Sequence, residues 1–521
     1  MSSSKLSLLK VWILITVGAT GLWSLGSCQK QKQPSYLIIA IDRLSFNSFA
    51  CSDEKQSINS GLNVLCKEAI RFTHAYTTST QSAAAMASLL TGLYPLQHKV
   101  HRSFDRLDSS TKMVQTVASQ VGYQTYFLSG SPSILKKTGL SAGFDLFEDS
   151  SFFEKKSYFL DLKYQSDKFL NLIQDSSDPF FAVIYNAELE ALNEGESQIS
   201  SFEKLDEKLS NLFATLKDRH LWDNNYIIVT GLQGKSDYNR LDETPFSNVN
   251  SENTRITLFL KPPRSKGDEG IFWKIDSPIN LADLGLSLWT SLIQKKPLNQ
   301  NILESEFPIF NISSIWNSQN KNLLLEPRKI LIEAADTWSK TLSLRLAILN
   351  KNLLFIEDKK NKVYNTLTDG LESINIANQQ KEFTDEANAN TTSLRQQINF
   401  GQWITYKSEW HDWVMLNREY WSKPNERNVL FEKELNRIKN EKKTQPLSIY
   451  LVRYLIQNKR TDDLKIIQKI DFEKKSPSNK LKFVLYETVK QQSLNLALEN
   501  VWGIWDTDKK WIQSSFILEN Q

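Results

Sequence analysis

The stretch that decides the fold is a run of small and apolar residues in the first fifth of the chain, Ser82-Ala83-Ala84-Ala85-Met86-Ala87-Ser88-Leu89-Leu90-Thr91-Gly92-Leu93-Tyr94-Pro95. Its Ala-Ala-Ala-Met segment is a strong helix former that carries no charge. A serine at the start of a helix is typical of an N-cap, whose hydroxyl accepts a hydrogen bond from a free N–H group. The stretch therefore predicts an uncharged helix with Ser82 as its N-cap.

Buried strands alternate with amphipathic helices on both sides of this stretch. Residues 36–41 form a continuous apolar, β-branched run, and similar runs occupy residues 180–185, 226–229 and 256–260. Such runs are typical of strands covered on both faces in a parallel sheet. Apolar residues recur at helical spacing over residues 59–70, 113–121 and 201–216. The alternation predicts a doubly wound, mostly parallel α/β sheet, with ligands bound at the carboxyl ends of the strands.

Two further regions follow this sheet. Residues 344–348, 353–356 and 362–365 read as short strands joined by polar turns, which predicts a small antiparallel sheet. Beyond residue 385 the sequence becomes helical and charged, with clustered tryptophans at Trp403, Trp410, Trp413, Trp421, Trp502, Trp505 and Trp511. The predicted domains are an α/β domain over 36–320, the antiparallel subdomain over 321–385 and a helical extension over 386–521. Aromatic clusters on helices are typical of a partner surface, and a separate helical core is the alternative.

The N-terminus has the pattern of an export signal. Lys5 and Lys10 precede an apolar stretch that ends in Leu25-Gly26-Ser27-Cys28, which resembles a bacterial lipobox. We expect residues 1–27 to be a signal peptide and residues 28–35 a tether lipidated at Cys28, which would anchor the protein to a membrane of the bacterial cell envelope. An uncut membrane anchor is the alternative. Glutamine follows Cys28 instead of the aspartate that marks inner-membrane retention, so the outer membrane is favoured.

Composition limits the class of partner. The chain of 521 residues has 63 basic and 59 acidic side chains, a net charge of +4, which becomes +2 once Lys5 and Lys10 are removed. So small a charge argues against a nucleic-acid partner. Cys51 and Cys66 could pair in an oxidising compartment, but a separation of 15 residues does not fix their Cα distance, and the sequence leaves the pairing open.

Several segments resemble the sulfatase family in the expected order. Residues 82–95 are similar to its nucleophile loop and following helix, in which Cys or Ser is followed by x-Pro-Ser-Arg and later by Leu-Leu-Thr-Gly-x-Tyr-Pro. Residues 36–42 resemble its first strand with a metal-binding aspartate, residues 62–76 the helix and turn before the nucleophile loop, and residues 221–230 the strand before the remaining metal ligands. The likeness spans residues 36–380 and implies the alkaline phosphatase type of α/β fold.

The resemblance also implies what the nucleophile loop has lost. Ser82 stands at the nucleophile position, but Ala84, Ala85 and Met86 replace the proline, serine and arginine of the pattern. Hydrolysis of a sulfate ester needs a nucleophile and a concentration of positive charge around the sulfate oxygens. The missing arginine removes one of those charges.

The implied metal ligands are similarly reduced. The family's calcium ligands correspond to Asp42, Arg43, Leu232 and Gln233. Calcium binds six to eight oxygens, chiefly from carboxylates, and only Asp42 supplies one here, with Gln233 as a neutral remnant. We therefore expect no metal and no other cofactor, with calcium as the alternative if the protein is an active hydrolase. We also expect the guanidinium of Arg43 to pair with Asp42 in place of the metal.

Two further site residues are implied by the resemblance, each with an alternative. His98 follows the nucleophile helix and either touches a ligand or is structural. Lys261 follows a late strand and is either the family's late lysine or a surface lysine that extends to water. No histidine follows the strand at residues 180–185, where the family has its acid/base residue; Asn186 and Glu188 stand there instead.

Three functions remain in competition. The first is a sulfatase-fold lipoprotein that has lost hydrolysis and works in binding or assembly, with a protein partner on its helical extension. The second is an active hydrolase or transferase of sulfuric or phosphoric esters with Ser82 as nucleophile. The third is a non-catalytic glycan-binding protein that retains the cleft for a sulfated or other glycan.

Overall fold

The computed structural model describes residues 33–397 apart from short gaps, together with a few residues between 429 and 463. The gaps lie at residues 49–50, 52–59, 103–104, 132, 150, 152–158, 175, 177, 191–197, 236–247, 265–272, 294–305, 318–327 and 336–343. The predicted signal peptide, the lipidation site Cys28 and the tryptophan cluster after residue 400 lie outside the described residues. Among the described residues, no helix has the length and apolar character needed to cross a membrane.

A large mixed sheet forms the centre of the α/β domain. In the described part of the chain it has nine strands, with the spatial order β4-β3-β5-β1-β6-β7-β2-β8 and β9 beside β2. The strands are β1 Tyr36–Ile41, β2 Ile70–Tyr76, β3 Gln124–Ser129, β4 Leu146–Glu148, β5 Phe180–Asn186, β6 Tyr226–Gly231, β7 Arg255–Lys261, β8 Trp273–Ile275 and β9 Ile279–Asn280.

Strand β1 is central, and its side chains are buried on both faces as its continuous apolar run predicts. Tyr36, Ile38 and Ala40 pack into the core on one face of the sheet. Leu37, Ile39 and Ile41 pack into the core on the other face. Strand β1 pairs in parallel with β5 and β6. The predicted doubly wound, mostly parallel fold is confirmed. Strand β7 differs from the expectation, because it runs antiparallel to β6 and β2.

Helices cover both faces of the sheet. Those in the described residues are α1 Gly61–Glu68, α2 Ser82–Thr91, α3 Pro95–His98, α4 Val114–Gln120, α5 Leu162–Leu172, α6 Gln198–Asp218, α7 Ser251–Thr254, α8 Leu281–Ile293, α9 Ser313–Asn317 and α10 Lys381–Gln397. Helix α2 is the one predicted from the opening stretch, and each of its ten residues is buried.

Close contact with helix α8 explains why α2 is built from small residues. A Cβ atom added to Gly285 would lie 2.5 Å from the carbonyl oxygen of Leu89. Gly92 ends helix α2 in the left-handed conformation with φ of 68°. A Cβ atom added there would also clash, because it would lie 2.8 Å from the backbone nitrogen of Leu286. Both glycines let the two helix backbones approach each other.

One segment was predicted with the wrong secondary structure. The resemblance gave a helix and a turn over residues 62–76, but helix α1 ends at Glu68 and residues 70–76 form strand β2. Arg71 and His74 interrupt the apolar pattern of this strand and are only partly buried. A strand that is buried on both faces is expected to be apolar throughout. Because these two residues break that pattern, the sequence did not predict strand β2.

The antiparallel sheet is present and larger than predicted. It consists of four strands within the described residues, β10 Lys329–Ala335, β11 Leu344–Asn350, β12 Leu353–Ile356 and β13 Lys362–Asn365, in sequential order. Helix α10 packs on one face through Phe383, Ala387 and Leu394. The predicted boundary between residues 385 and 386 falls inside this helix. The other predicted domain boundaries stay predictions.

The pairing of Cys51 and Cys66, which the sequence left open, occurs. The two form a disulfide with a Cα–Cα distance of 5.8 Å, within the usual range for a disulfide bond.

Candidate functional site

The candidate site lies at the carboxyl ends of the central parallel strands. Asp42 follows β1, Tyr185 is near the end of β5, and Gln233 follows β6. Because β1 pairs with both β5 and β6, these chain positions meet at one edge of the sheet. The loop after β2 brings Ser82 to the same edge. This is where ligands bind in doubly wound sheets.

Asp42 is the centre of a buried hydrogen-bond network. Its Oδ2 atom accepts a hydrogen bond from Ser82 Oγ at 2.7 Å and another from the hydroxyl of Tyr185 at 2.6 Å. Tyr185 in turn lies 3.2 Å from Ser131 Oγ. Asp42 is fully buried, and its second oxygen, Oδ1, has no hydrogen-bond partner.

Burial dominates the electrostatics of this network. It raises the pKa of Asp42 from its usual 3.8 to about 7, and the charge of Glu190 adds to the rise. The hydrogen bonds from Tyr185 and Ser82 and the charge of Arg43 lower that pKa by smaller amounts. Burial also raises the pKa of Tyr185 well above its ordinary value, followed by the charges of Asp42 and Glu190. Tyr185 is therefore a neutral hydrogen-bond donor at physiological pH.

Arg43 does not pair with Asp42, so that expectation is wrong. Its Nε atom lies 3.4 Å from Oε1 of Glu190. Gln233 Nε2 approaches the same oxygen at 3.3 Å and Ser82 Oγ at 3.4 Å. The backbone of Arg43 has a left-handed conformation with φ of 60°, and the two donors that face Asp42 Oδ2 are hydroxyl groups. Arg43 therefore forms its ion pair with Glu190 and not with Asp42.

Ser82 is not the N-cap of helix α2. Gln81 is the N-cap and makes no capping hydrogen bond, while Ser82 is the first helical residue. The side chain of Gln81 donates instead to the carbonyl oxygen of Ala335 in strand β10, at 3.0 Å. The Ser82 hydroxyl donates to Asp42 because a buried carboxylate is a stronger acceptor than any neighbouring neutral oxygen.

The replaced motif residues belong to the core. Ala84, Ala85 and Met86 are fully buried, and so is Leu232, which stands at an implied metal-ligand position. Met86 and Leu232 are part of the same hydrophobic cluster. A hydrophobic cluster cannot supply cations or ligand oxygens to the site.

Calcium does not fit the residues at this edge. One oxygen of Asp42 is taken by two hydrogen-bond donors, and Glu190 is already paired with the guanidinium of Arg43. Within the described residues, no group of three or more His, Cys, Asp or Glu side chains could hold a metal ion. Calcium needs six to eight oxygens, so the oxygen ligands that the described residues offer here are far too few.

His98 lies outside the network. Its side chain is buried, with Nδ1 accepting a hydrogen bond from the backbone N–H of Val100 at 3.1 Å and Nε2 3.0 Å from Ser88 Oγ. Burial, followed by the charge of His101, holds the pKa of His98 well below its ordinary value. His98 is therefore a neutral side chain that connects helices α2 and α3.

Lys261 is not at the site, and it does not extend to water as a surface lysine. It is fully buried, and its Nζ atom donates to the carbonyl oxygens of Trp222 and Asn225. Because β7 is antiparallel, Lys261 lies opposite Ile227 near the start of β6, at the edge remote from Asp42. Burial and the charge of Arg264 lower the pKa of Lys261 to about 7.

Sequence reasoning missed two residues of the site. Tyr185 closes an apolar run, and nothing in that run marks its hydroxyl as a partner of Asp42. Glu190 ends a short 3-10 helix that follows β5. The placement of Asn186 and Glu188 after the same strand was the one available signal, since it indicated that polar side chains gather there. Asn186 itself bonds to the carbonyl oxygen of Leu160 at 3.1 Å.

Comparisons with known proteins agree with this fold. A sulfatase family model matches residues 34–188, and no curated protein matches the sequence. The phosphonate monoester hydrolase of Agrobacterium radiobacter has a TM-score of 0.55 at 13% identity, over 70% of this chain and 96% of its own. A protein solved with its substrate D-glucosamine-2-N,6-O-disulfate has a TM-score of 0.55 at 12% identity, over 72% of this chain and 100% of its own. A 2-O GAG sulfatase has a TM-score of 0.53 at 12% identity, over 71% and 93% of the two chains.

The chain has the sulfatase fold, and its residues 34–188 match the sulfatase family model. The resemblance seen in the sequence is confirmed. Identities this low establish the fold alone and leave the activity to be argued from the site. The stretch matched by the family model includes Asp42, Ser82 and Tyr185, which are the residues that form the buried network.

Proposed function

We propose that this protein is a non-hydrolytic sulfatase-fold lipoprotein that works in binding or assembly in the cell envelope. The observation that carries the proposal is the burial of Met86 in the core at the position where the sulfatase pattern has an arginine. Without that cation, the site lacks a main source of charge for stabilising a sulfate ester in its transition state.

The charges that remain at the site oppose the same reaction. Asp42 and Glu190 are carboxylates, and Arg43 is paired with Glu190. A sulfate group placed beside Ser82 would therefore meet the carboxyl group of Asp42, which is partly ionised at neutral pH, with no metal to offset that charge. We propose that the protein uses no metal and no other cofactor.

The proposal includes the attachment and the partners expected from the sequence. Lipidated Cys28 would hold the protein on a membrane of the bacterial envelope, with the outer membrane favoured. The tryptophan-rich helical region would bind a protein partner. A non-catalytic protein that binds a glycan at the end of the sheet beside Asp42 is the alternative. Metabolic labelling with a fatty-acid analogue tests the anchor, since Cys28→Ala should remove the label.

A second candidate, a hydrolase with Ser82 as nucleophile, is favoured by one observation. Ser82 Oγ lies 2.7 Å from Asp42 Oδ2, and the pKa of Asp42 is about 7. A carboxylate with a pKa near neutral is well matched to remove a proton from a hydroxyl group. The missing positive charge is the reason why we place this candidate second.

Hydrolysis assays distinguish the two candidates. The full-length chain, purified in detergent, would be assayed with aryl sulfate and aryl phosphate, in calcium and in chelator. The Ser82→Ala variant would be compared with Ser88→Ala, a serine of the same helix that bonds to Thr78 and not to Asp42. We expect no turnover above the blank in any sample. Turnover that Ser82→Ala abolishes and Ser88→Ala retains would establish the hydrolase.

A further inference from the structure

Three large aliphatic side chains are exposed on one loop of the antiparallel sheet. Leu367, Leu371 and Ile374 follow strand β13 and have exposed fractions of 72%, 57% and 64%. In the part of the chain that the structure describes, Val429 is the one other large hydrophobic side chain with such exposure. A cluster of exposed apolar side chains indicates a surface that contacts another molecule or a membrane.

Hydrogen bonds fix the path of this loop along the outer edge of the sheet. Strand β13 is the last strand in the order β10-β11-β12-β13. The backbone N–H of Thr366 donates to the carbonyl oxygen of Asn352, in the turn between β11 and β12, at 2.8 Å. Further along the loop, the N–H of Ile376 donates to the carbonyl oxygen of Val363 in β13, also at 2.8 Å. The exposed side chains therefore project from a backbone that is held in place.

The carboxylates of the loop are bonded within the protein. The N–H of Ile374 donates to one oxygen of Asp369 at 2.8 Å, and the hydroxyl of Ser373 donates to the other at 3.1 Å. The side chain of Glu372 is buried and accepts a hydrogen bond from the backbone N–H of Ser251 at 3.0 Å. Internal donors thus occupy both carboxylates, and neither adds a free charge beside the aliphatic side chains.

Exposed lysines flank the loop at both of its ends. Lys351 lies in the turn between β11 and β12, where the loop begins. Lys359 and Lys360 lie in the turn between β12 and β13, where Asn375 Nδ2 donates to the carbonyl oxygen of Asn361 at 3.4 Å. None of the three lysines forms an ion pair in the described part of the chain. Cations that flank an apolar surface complement the anionic headgroups of a lipid bilayer.

These features fit a lipid surface better than a protein partner. Side chains that enter a bilayer need a backbone whose polar groups are already bonded, because lipid offers no replacement partners. The binding energy of protein interfaces comes chiefly from Trp, Tyr and Arg, and Leu is under-represented there. The exposed cluster consists of two leucines and an isoleucine.

We propose that Leu367, Leu371 and Ile374 insert into the surface of a lipid bilayer, with the flanking lysines at its anionic headgroups. The inference rests on the proposed anchor at Cys28 and adds a second contact with the same membrane. The predicted tether of residues 28–35 spans up to about 25 Å when it is extended. An anchor on such a tether leaves the orientation of the domain open, whereas an inserted loop fixes it.

A fluorescent probe on the loop tests the insertion. Leu371→Cys in the full-length lipidated protein would be labelled with the polarity-sensitive dye NBD and reconstituted into vesicles of phosphatidylcholine and phosphatidylglycerol. Cys51 and Cys66 are joined in a disulfide and lipid would occupy Cys28, so the dye reacts with the new thiol. Doxyl groups on the acyl chains should quench this probe at least about twofold, because it lies at the boundary of the acyl chains. Vesicles of phosphatidylcholine alone should give weaker quenching, since they lack the anionic headgroups.

Matched variants assign the quenching to the loop. Glu207→Cys, labelled in the same way, is the control, because Glu207 is an exposed residue of helix α6, and its probe should not be quenched. Replacing Leu367 and Ile374 with serine in the Leu371→Cys protein should reduce quenching to the level of this control. The melting curves should be unchanged, because the replaced side chains are exposed, which separates a loss of insertion from a loss of fold.

Each outcome decides the inference. An unquenched probe on Leu371→Cys, equal quenching of the Glu207→Cys probe, or quenching that survives the two serine substitutions would overturn it. A blue shift of the dye that doxyl lipids do not quench would identify a protein as the occupant and overturn it as well. Equal quenching with and without phosphatidylglycerol would overturn the role of the lysines. Dye attached to Cys28 in the wild-type chain would overturn the proposed anchor itself, and the inference with it.

Discussion

Replacing Asp42 with asparagine should stabilise the protein at alkaline pH. The folded chain raises the pKa of Asp42 from 3.8 to about 7, so between these values it binds more protons than the unfolded chain. The free energy of unfolding therefore decreases as the pH rises from about 4 to about 7 and stays low above that range. Each unit of pKa difference is worth about 1.4 kcal/mol. The ionisation of Asp42 therefore lowers the free energy of unfolding above pH 7 by at most about 4 kcal/mol.

Asparagine preserves the hydrogen bonds while removing the charge. Its Oδ1 atom can accept from Ser82 and Tyr185 as the carboxylate oxygen does, and its Nδ2 group replaces an oxygen that has no partner. One unpaired polar group costs about 1–3 kcal/mol. We therefore expect Asp42→Asn to raise the free energy of unfolding by about 1–3 kcal/mol at pH 8 and to have little effect at pH 5.

Urea unfolding followed by tryptophan fluorescence at pH 5 and pH 8 measures this difference. Asp108→Asn is the control, because Asp108 is exposed and its replacement should give the same small change at both pH values. If Asp42→Asn is less stable than the wild type at pH 8, or differs from it equally at both pH values, the account of Asp42 as a costly buried carboxylate is wrong.

Three further predictions concern the rest of the fold. Lys261 is buried with a pKa near 7, so wild-type stability should rise as the pH increases from about 7 to about 10, and urea unfolding of Lys261→Met should lack that rise. Gly285→Ala should lower the melting temperature, with a loss of about 1–3 kcal/mol, because its Cβ would lie 2.5 Å from the carbonyl oxygen of Leu89; an unchanged melting curve would contradict this packing. Reducing the bond between Cys51 and Cys66, which spans 15 residues, should lower stability by about 3 kcal/mol, measured by urea unfolding with and without reductant, and a Cys51→Ser, Cys66→Ser variant should not respond to reductant.

The sequence predicted those elements whose patterns depend on burial alone. The continuous apolar run of residues 36–41 identified the central strand, because only a strand covered on both faces tolerates it. The direction of β7 was not predictable, since its run of apolar residues is the same whether it pairs in parallel or antiparallel. Strand β2 was missed because Arg71 and His74, which are only partly buried, interrupt its apolar pattern.

The site was predictable only where a motif or a strand end marked it. Asp42 and Ser82 were identified together and lie within hydrogen-bond distance. The partner of Arg43 could not be read from the sequence, because Glu190 is distant along the chain and arrives through the turn after β5. The role of Tyr185 depends on the same three-dimensional register of β5 against β1.

The central claim is that the edge of the sheet at Asp42 cannot hold a divalent cation, and crystals of the protein soaked in calcium test it most directly. We expect no anomalous density beside Asp42, whose accepting oxygen faces Ser82 and Tyr185. A well-occupied calcium ion coordinated by Asp42 and Gln233 would contradict the account.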